Sequence, residues 1–147
     1  MSDITIDHLK YPEGIHRAHA VRYEVFVVEQ GYSFKIEQDN QDNICQHWVA
    51  TYKSKDVGNI RLWPKPNGVA KLGRLGVLSS ARGLYIGQKL VLEFIEYCKQ
   101  NKFNAIVLHS QYPKRGFYEK LGFVVEEGDE IFEEAGTPHV RMWMRNL

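Results

Sequence analysis

Hydrophobic and polar positions divide the first third of the chain into a strand, a helix and a loop. Residues 4–9 alternate like a short strand, and the segment after Pro12 has apolar positions every three or four residues from Ile15 to Val25. This spacing predicts a helix that begins near Pro12 and has one apolar face. The next segment, residues 31–43, is rich in Gln, Asn and Asp and has no period, so it is predicted to be a loop.

The rest of the chain alternates strand-like and helix-like segments. Three strand-like runs, QHWVATYK, VGNIRLWP and VAKLGRLGVL, are separated by turn residues and predict an antiparallel meander. Apolar positions then keep helical spacing from Ile86 to Cys98. FNAIVLHS predicts a buried strand, YPKRGFYEKLG a third helix, and FVVEE and PHVRMWMR two last strands. This order predicts a mixed α/β sheet with helices on its faces.

Composition favours one intracellular domain and excludes several function classes. A chain of 147 residues, 44% of them hydrophobic, buries one sizeable core, and its net charge of +1 gives no reason to expect nucleic acid or an anionic membrane as partner. No segment resembles a signal peptide or the roughly 20 apolar residues of a membrane span, so we expect a cytoplasmic protein. Cys45 and Cys98 lie far apart without zinc-ligand spacing, which predicts neither a disulfide nor a metal site.

The stretch SSARGLYIGQKL joins a strand to the start of a helix. Backbone N–H groups of a first helical turn have no partners within the helix, and the helix dipole adds about +0.5 charge there, so such a junction can bind phosphate. Small residues let the anion approach the backbone, and Arg82 adds a charged donor. The stretch is neither a GxGxxG motif nor a P-loop, and a simple turn remains the alternative.

These residues resemble the acetyl-CoA signature of the GNAT family of N-acetyltransferases, in which Arg or Gln is followed after two residues by Gly and then, one residue later, by Gly or Ala. Arg82 and Gly87 match, whereas Tyr85 stands where the first family glycine belongs. Downstream, RGFYEKLGF resembles the family segment that contains Tyr118. The segments RYEVFVVEQ and GTPHVRMWM resemble more closely the small branch that includes the ElaA and YjcF proteins.

The resemblance implies a mixed, mostly antiparallel central sheet flanked by helices on both faces, and an acetyl-CoA-dependent enzyme that releases CoA. The acetyl group would pass to a primary amine of a small molecule or protein by direct attack in a ternary complex. The expected cofactor-binding residues are the end of the fourth strand, the phosphate turn and one polar amide: Leu75, Gly76, Val77, Arg82, Gly83, Leu84, Tyr85, Ile86, Gly87, Gln88 and Gln111. A homodimer is a further expectation, on the basis of aromatic residues near the surface.

Acetyl transfer needs a proton for the departing thiolate and a base for the amine. A tyrosine hydroxyl has a pKa of about 10, near that of a thiol, so Tyr118 is the expected general acid. Glu29 is a candidate base or amine contact, with a solvated helix end as the alternative. Gln30, His139 and Arg22 are candidates for the acceptor site, and a surface salt bridge is the alternative for Arg22.

Two other readings of the sequence stay open at this level. The departure at Tyr85 is compatible with a non-catalytic acyl-CoA-binding module. Three acidic residues between positions 31 and 43, Glu37, Asp39 and Asp42, hint at a cationic acceptor, although Asn/Asp-rich loops are usually just solvated.

Overall fold

One sheet of eight strands organises the computed structural model, which describes residues 3–128 and 131–147. The strands are β1 (Ile4–Leu9), β2 (Gln46–Tyr52), β3 (Lys55–Lys65), β4 (Val69–Val77), β5 (Ala105–Gln111), β6 (Val124–Val125), β7 (Phe132–Glu134) and β8 (Thr137–Arg145). The helices are α1 (Ile15–Arg22), α2 (Phe34–Glu37), α3 (Ile86–Gln100) and α4 (Arg115–Lys120). The strand order is β1-β2-β3-β4-β5-β8-β6, and β7 pairs with β8. This mixed, mostly antiparallel sheet with helices confirms the predicted fold class.

The single parallel pair among the described strands, β4 with β5, opens the sheet at its centre. Val69 to Leu72 pair with Ala105 to Leu108, and no pairing continues beyond that point, although both strands do. Residues 73–77 of β4 therefore have a neighbouring strand on one side only, which leaves backbone N–H and C=O groups on the other side without a ladder partner.

A β-bulge in β4 accompanies this opening. Asn59 of β3 lies opposite Gly76, whereas Arg61 lies opposite Gly73, so two residues of β4 oppose a single residue of β3. Arg74, inside the bulge, has the left-handed φ of 52°, and its carbonyl oxygen accepts a hydrogen bond of 3.0 Å from Asn59 Nδ2. Bulges bend a strand, and this one lies where β4 leaves β5.

Helix α3 covers one face of the sheet with the apolar positions that the sequence pattern predicts. The positions 86, 90, 91, 94, 95 and 98 are all buried, and they pack on β3 and β4 as part of one hydrophobic core. Phe94 contacts the ring of Trp48 from β2 at 6.0 Å between centroids. Because side chains alternate across a strand, His47 faces the other side, where its Nε2 contacts the Asp42 carbonyl near α1.

Three local predictions are corrected. The first helix is regular only to Arg22 and continues as a π-helix over Tyr23–Glu29, a conformation frequent at functional sites. The predicted loop 31–43 contains α2 and a 3₁₀ turn at Asp42–Ile44, because Ser33 caps α2 by accepting a hydrogen bond from Ile36 N. The chain end has a third short strand, β7, that the sequence pattern does not predict. No helix of the described ranges is long and apolar enough to span a membrane.

Candidate active site

A cleft of about 380 Å³ lies where β4 and β5 separate. Its walls come from both diverging strands, from the loop around α2, from α4 and from the β7–β8 hairpin. Gln30, Gln111, Tyr118 and His139, which were singled out from the sequence, all line it together with Leu75. Concave sites with a few convergent polar groups are the usual location for ligands.

The turn before α3 carries the expected phosphate-binding segment. The seven candidate residues, Arg82 to Gln88, follow the 3₁₀ segment Ser79–Ala81 and run into the first turn of α3. This segment is the expected phosphate turn. The first helical bond runs from Lys89 N to the Tyr85 carbonyl at 3.2 Å. Within residues 3–128 and 131–147, no protein group accepts a hydrogen bond from the amides of residues 83–88. These donors are therefore available to an anion.

Tyr85 adopts the backbone conformation for which glycine is better suited. Its φ of 61° and ψ of 24° are left-handed, a conformation that costs a residue with a Cβ about 1–2 kcal/mol. Its side chain is 70% exposed and points into solvent. The departure from the family glycine therefore changes the backbone energy of this turn.

Gly87 and Gly76 permit two close approaches around the cleft. A Cβ on Gly87 would lie 3.3 Å from the ring of Phe117 in α4. A Cβ on Gly76 would lie 2.6 Å from Val25 Cγ1, a distance that real Cβ atoms do not reach. The π-helix thus packs directly on the open half of β4, beside Leu75 and Val77, and a larger residue at position 76 would push it away.

Glu29 lies beside the phosphate turn, outside the cleft. Its Oε1 accepts a hydrogen bond of 2.8 Å from Arg82 Nη2, and its Oε2 accepts one of 3.1 Å from Ser79 N. Both carboxylate oxygens are occupied, so the structure does not bring Glu29 to the acceptor side as the sequence suggested. The neighbouring Gln30 does line the cleft.

Tyr118 projects from α4 against two aromatic rings. Phe117 and Phe123 contact it edge-on, with centroid distances of 5.0 and 6.0 Å. Burial raises the pKa of Tyr118 above its usual value. Across the described part of the chain, no protein group hydrogen bonds to its hydroxyl. Gln111, on the neighbouring strand end, donates from Nε2 to the Tyr32 hydroxyl at 2.8 Å.

Arg22 is fully buried, so the alternative of a surface salt bridge is wrong, and it cannot reach an acceptor in the cleft. Its guanidinium donates to both Glu37 carboxylate oxygens and, at 2.9 Å, to Asp42 Oδ1. Arg61 donates to Asp42 at 3.0 Å and to Asp39 at 2.7 Å. This ion-pair network holds the segment around α2 against the sheet, where it forms one wall of the cleft.

A cluster of titratable groups lines the cleft from β5 and the β7–β8 hairpin. His109 Nδ1 lies 2.9 Å from Glu134 Oε1, and this hydrogen bond is the main reason that the pKa of Glu134 is lowered. His139 Nδ1 lies 2.9 Å from the Thr137 carbonyl, and its Nε2 lies 3.7 Å from Glu134 Oε2. Phe132 contacts both imidazoles.

Sequence reasoning missed Glu134 because it did not recognise β7. The available signal was the turn Ala135–Gly136 between two strand-like pieces, which would have placed the acidic residues before it against the strand of His139. Lys71 and Trp63, which also line the cleft, carry no local signal. In the described ranges, no group of three His, Cys, Asp or Glu residues is arranged to hold a metal ion.

The geometry of a sheet that opens between β4 and β5 agrees with the comparisons to known proteins. A family model described as an acetyltransferase (GNAT) domain matches residues 10–146. The chain belongs to the GNAT family of acetyltransferases. GNAT membership makes it an acyltransferase, and it confirms the resemblance read from the motifs around Arg82 and Tyr118.

Relatives of the ElaA and YjcF branch are among the matches. The Bacillus subtilis protein YjcF, named an uncharacterized N-acetyltransferase, is 33% identical over 133 residues, which cover 90% of this chain and 94% of YjcF. The crystal structure of Escherichia coli ElaA superposes with a TM-score of 0.79 at 25% identity, covering 97% of this chain and 99% of ElaA. A GNAT acetyltransferase from Elizabethkingia anophelis, solved with acetyl-CoA bound, has the same fold, with a TM-score of 0.74 at 17% identity and 99% of both chains covered.

Proposed function

We propose that this protein transfers an acetyl group from acetyl-CoA to a primary amine of a small molecule or protein, by direct attack within a ternary complex. One observation carries the proposal. A single cleft is lined by both the tyrosine Tyr118 and the imidazole of His139, and the free amides of residues 83–88 lie in the segment that follows its β4 wall. Binding and both proton transfers can be assigned within this arrangement.

Acetyl-CoA would bind with its pyrophosphate on the amides of residues 83–88. Arg82 would add a charged donor, and Lys114 would supply a second cation. Burial lowers the pKa of Lys114, and the nearby charge of Arg82 lowers it further. The pantetheine arm would lie along residues 75–77 as an added strand, with Gln111 beside it, because this half of β4 has no neighbour toward β5. Acetyl-CoA bound to the Elizabethkingia anophelis homologue supports this choice of cofactor.

Tyr118 would act as general acid toward the departing thiolate. As the amine nitrogen forms its bond to the thioester carbon, the C–S bond breaks and the sulfur takes the hydroxyl proton of Tyr118. Burial raises the pKa of Tyr118, so the hydroxyl stays protonated through the neutral pH range. The absence of a hydrogen bond to this hydroxyl from any described group leaves it available to the sulfur.

His139 would accept the proton that the amine loses. The Thr137 carbonyl can only accept a hydrogen bond, so His139 Nδ1 carries a proton, and in the neutral imidazole Nε2 would be the atom that accepts the amine proton. Glu134, whose Oε2 lies 3.7 Å from Nε2, would stabilise the imidazolium that forms. Gln30, on the facing wall, would contact the acceptor. Arg22 and Glu29 are given no role in this chemistry, since both are committed to other partners.

The alternative is an acyl-CoA-binding module without catalysis. The sequence feature that favoured it is Tyr85, whose side chain is 70% exposed and whose backbone adopts the left-handed conformation that suits glycine. Thermal unfolding with acetyl-CoA, with adenosine diphosphate and pantetheine as controls, tests the cofactor site. A ligand at 100 times its Kd adds about 2.7 kcal/mol to stability. We expect a clear rise of Tm with acetyl-CoA, and no rise at millimolar concentration would refute the proposal.

A further inference from the structure

The acidic residues of the segment around α2 contribute no free negative charge to the cleft. Glu37 pairs with Arg22, and Asp42 pairs with Arg22 and Arg61. Asp39 pairs with Arg61 at 2.7 Å and with Arg74 at 3.2 Å. Three carboxylates and three guanidiniums balance one another, so this wall does not select a cationic acceptor, contrary to the hint in the sequence.

Lys71 is different, because it forms no ion pair with any described residue. It lines the cleft from β4, half-buried beside Trp63, whose ring centroid lies 5.8 Å from its Nζ. None of the carboxylates in residues 3–128 and 131–147 lies within ion-pair distance of it. Glu134, the acidic residue across the cleft, is hydrogen bonded to His109 at 2.9 Å. The ammonium group therefore lines the cleft without a direct ion pair among the described residues, although Glu134 is close enough to act on it.

Charged groups of both signs surround Lys71. Burial lowers the pKa of Lys71; Glu134 opposes this effect, and the nearby cations Lys65, Arg61 and Arg74 lower the pKa further. Like charges disfavour the protonated ammonium, so a bound anion would relieve this repulsion. Trp63 adds an apolar surface against which an alkyl chain can pack.

The strand register gives the backbone spacing between Lys71 and the proposed base. Lys71 lies opposite Val107 on β5, whereas His139 lies opposite Gln111 on the same strand. Four residues of a strand span about 13 Å. An acceptor that presents its amine near His139 could therefore place a second group near Lys71 if several bonds separate the two.

We propose that the acceptor is a primary amine that also carries a carboxylate or phosphate group, and that Lys71 binds this anion while the amine lies between His139 and the thioester. The inference rests on the proposed acetyl transfer and narrows its substrate class. It favours amines with a spacer, such as long ω-amino acids, over α-amino acids.

Matched amines test the proposal. Initial rates of CoA release would be compared for 6-aminohexanoate, hexylamine and an aminoalkyl phosphonate of similar length. We expect kcat/KM to be at least about tenfold higher for an anionic amine than for hexylamine, because a charged hydrogen bond contributes on the order of 1.5–3 kcal/mol. The carboxylate and phosphonate arms identify the preferred anion. If hexylamine is the better substrate, the inference fails while acetyl transfer stands; if no amine reacts, acetyl transfer itself fails.

Charge reversal provides the second test. In Lys71→Glu, the preference should reverse, with 1,6-diaminohexane becoming a better substrate than 6-aminohexanoate. Lys55→Glu is the matched control, since Lys55 is an exposed residue at the start of β3 and does not line the cleft. The control should keep the preference for the anionic amine. An unchanged preference in folded Lys71→Glu, with acetyl-CoA affinity retained, would overturn the inference.

Discussion

The carboxylate of Glu29 bridges the guanidinium of Arg82 and the amide of Ser79, with donor–acceptor distances of 2.8 and 3.1 Å. Glu29 ends the π-helix, and Arg82 opens the phosphate turn, so this contact ties the first helical segment to the proposed cofactor site. It also holds Arg82 in place before any ligand binds.

The Glu29–Arg82 contact predicts a role in cofactor binding rather than in proton transfer. Glu29→Gln should change kcat by no more than about twofold, because the carboxylate does not line the cleft. Arg82→Ala should raise the Kd for acetyl-CoA about tenfold, through the loss of one charged donor. Calorimetric titration and steady-state kinetics on both variants check this. A hundredfold loss of kcat in Glu29→Gln with unchanged acetyl-CoA affinity would restore Glu29 as the base.

Tyr118→Phe isolates the hydroxyl. We expect kcat to fall about 100-fold or more while the Kd for acetyl-CoA stays constant, because general acid catalysis contributes on the order of 10²–10⁴. Since burial raises the pKa of Tyr118, wild-type kcat should show no loss from its ionisation up to about pH 10. Tyr112→Phe is the control, a partly buried tyrosine that does not line the cleft. Equal turnover of Tyr118→Phe and wild type would remove Tyr118 from this role.

Asp42→Asn tests the buried ion pairs. Burial raises the pKa of Asp42, but Arg22, His19 and Arg61 outweigh burial, and the folded-state pKa lies below the unfolded one. The resulting stabilisation is complete above the unfolded pKa of about 3.9 and is lost as pH falls through the folded pKa. We expect Asp42→Asn to cost about 3 kcal/mol at pH 7 and to reduce the loss of stability in acid.

Urea unfolding of wild type, Asp42→Asn and Asp56→Asn, from pH 7 down into the acid range, compares their free energies of unfolding. Asp56 pairs with Arg17 in a half-exposed ion pair, so Asp56→Asn should cost only about 0–1 kcal/mol. Equal losses in the two variants would show that burial of the network adds nothing.

Tyr85→Gly restores the family glycine. Glycine adopts the left-handed conformation of Tyr85 without a Cβ penalty, whereas it gains conformational entropy in the unfolded chain, so the free energy of unfolding should rise by up to about 1 kcal/mol. Acetyl-CoA affinity should stay within about threefold, since the ring points into solvent. Tyr85→Ala, which keeps the Cβ, should gain no stability. Calorimetry and urea unfolding measure both quantities; a tenfold weaker affinity would mean that the ring contacts the cofactor.

The regular elements were predictable because their periodicity is local. Helix α3 shows this best, since each of its six predicted apolar positions is buried. The turn between β4 and α3 was predictable for a similar reason, because its small and turn-forming residues stand close together in the sequence.

Pairing between distant segments was not predictable. In the sequence, Arg22 is simply a polar residue on a predicted helix. Glu37 and Asp42 come within hydrogen-bond distance of it only when α2 and the 3₁₀ turn that follows fold over the helix. Glu134 reaches His109 only through β7, a strand of three residues that is too short for a period to show. The residues that complete the acceptor side thus depend on long-range contacts.

Transfer of the acetyl group to an added amine is the direct test of the proposed acetyltransferase activity. Wild-type protein would be mixed with acetyl-CoA, with and without a panel of primary amines that includes anionic ones, and both CoA and acetylated amine would be quantified by mass spectrometry. We expect CoA release to depend on the amine and the two products to form in equal amounts. Tight acetyl-CoA binding with no acetylated amine in any reaction would contradict it and would leave a binding module as the function.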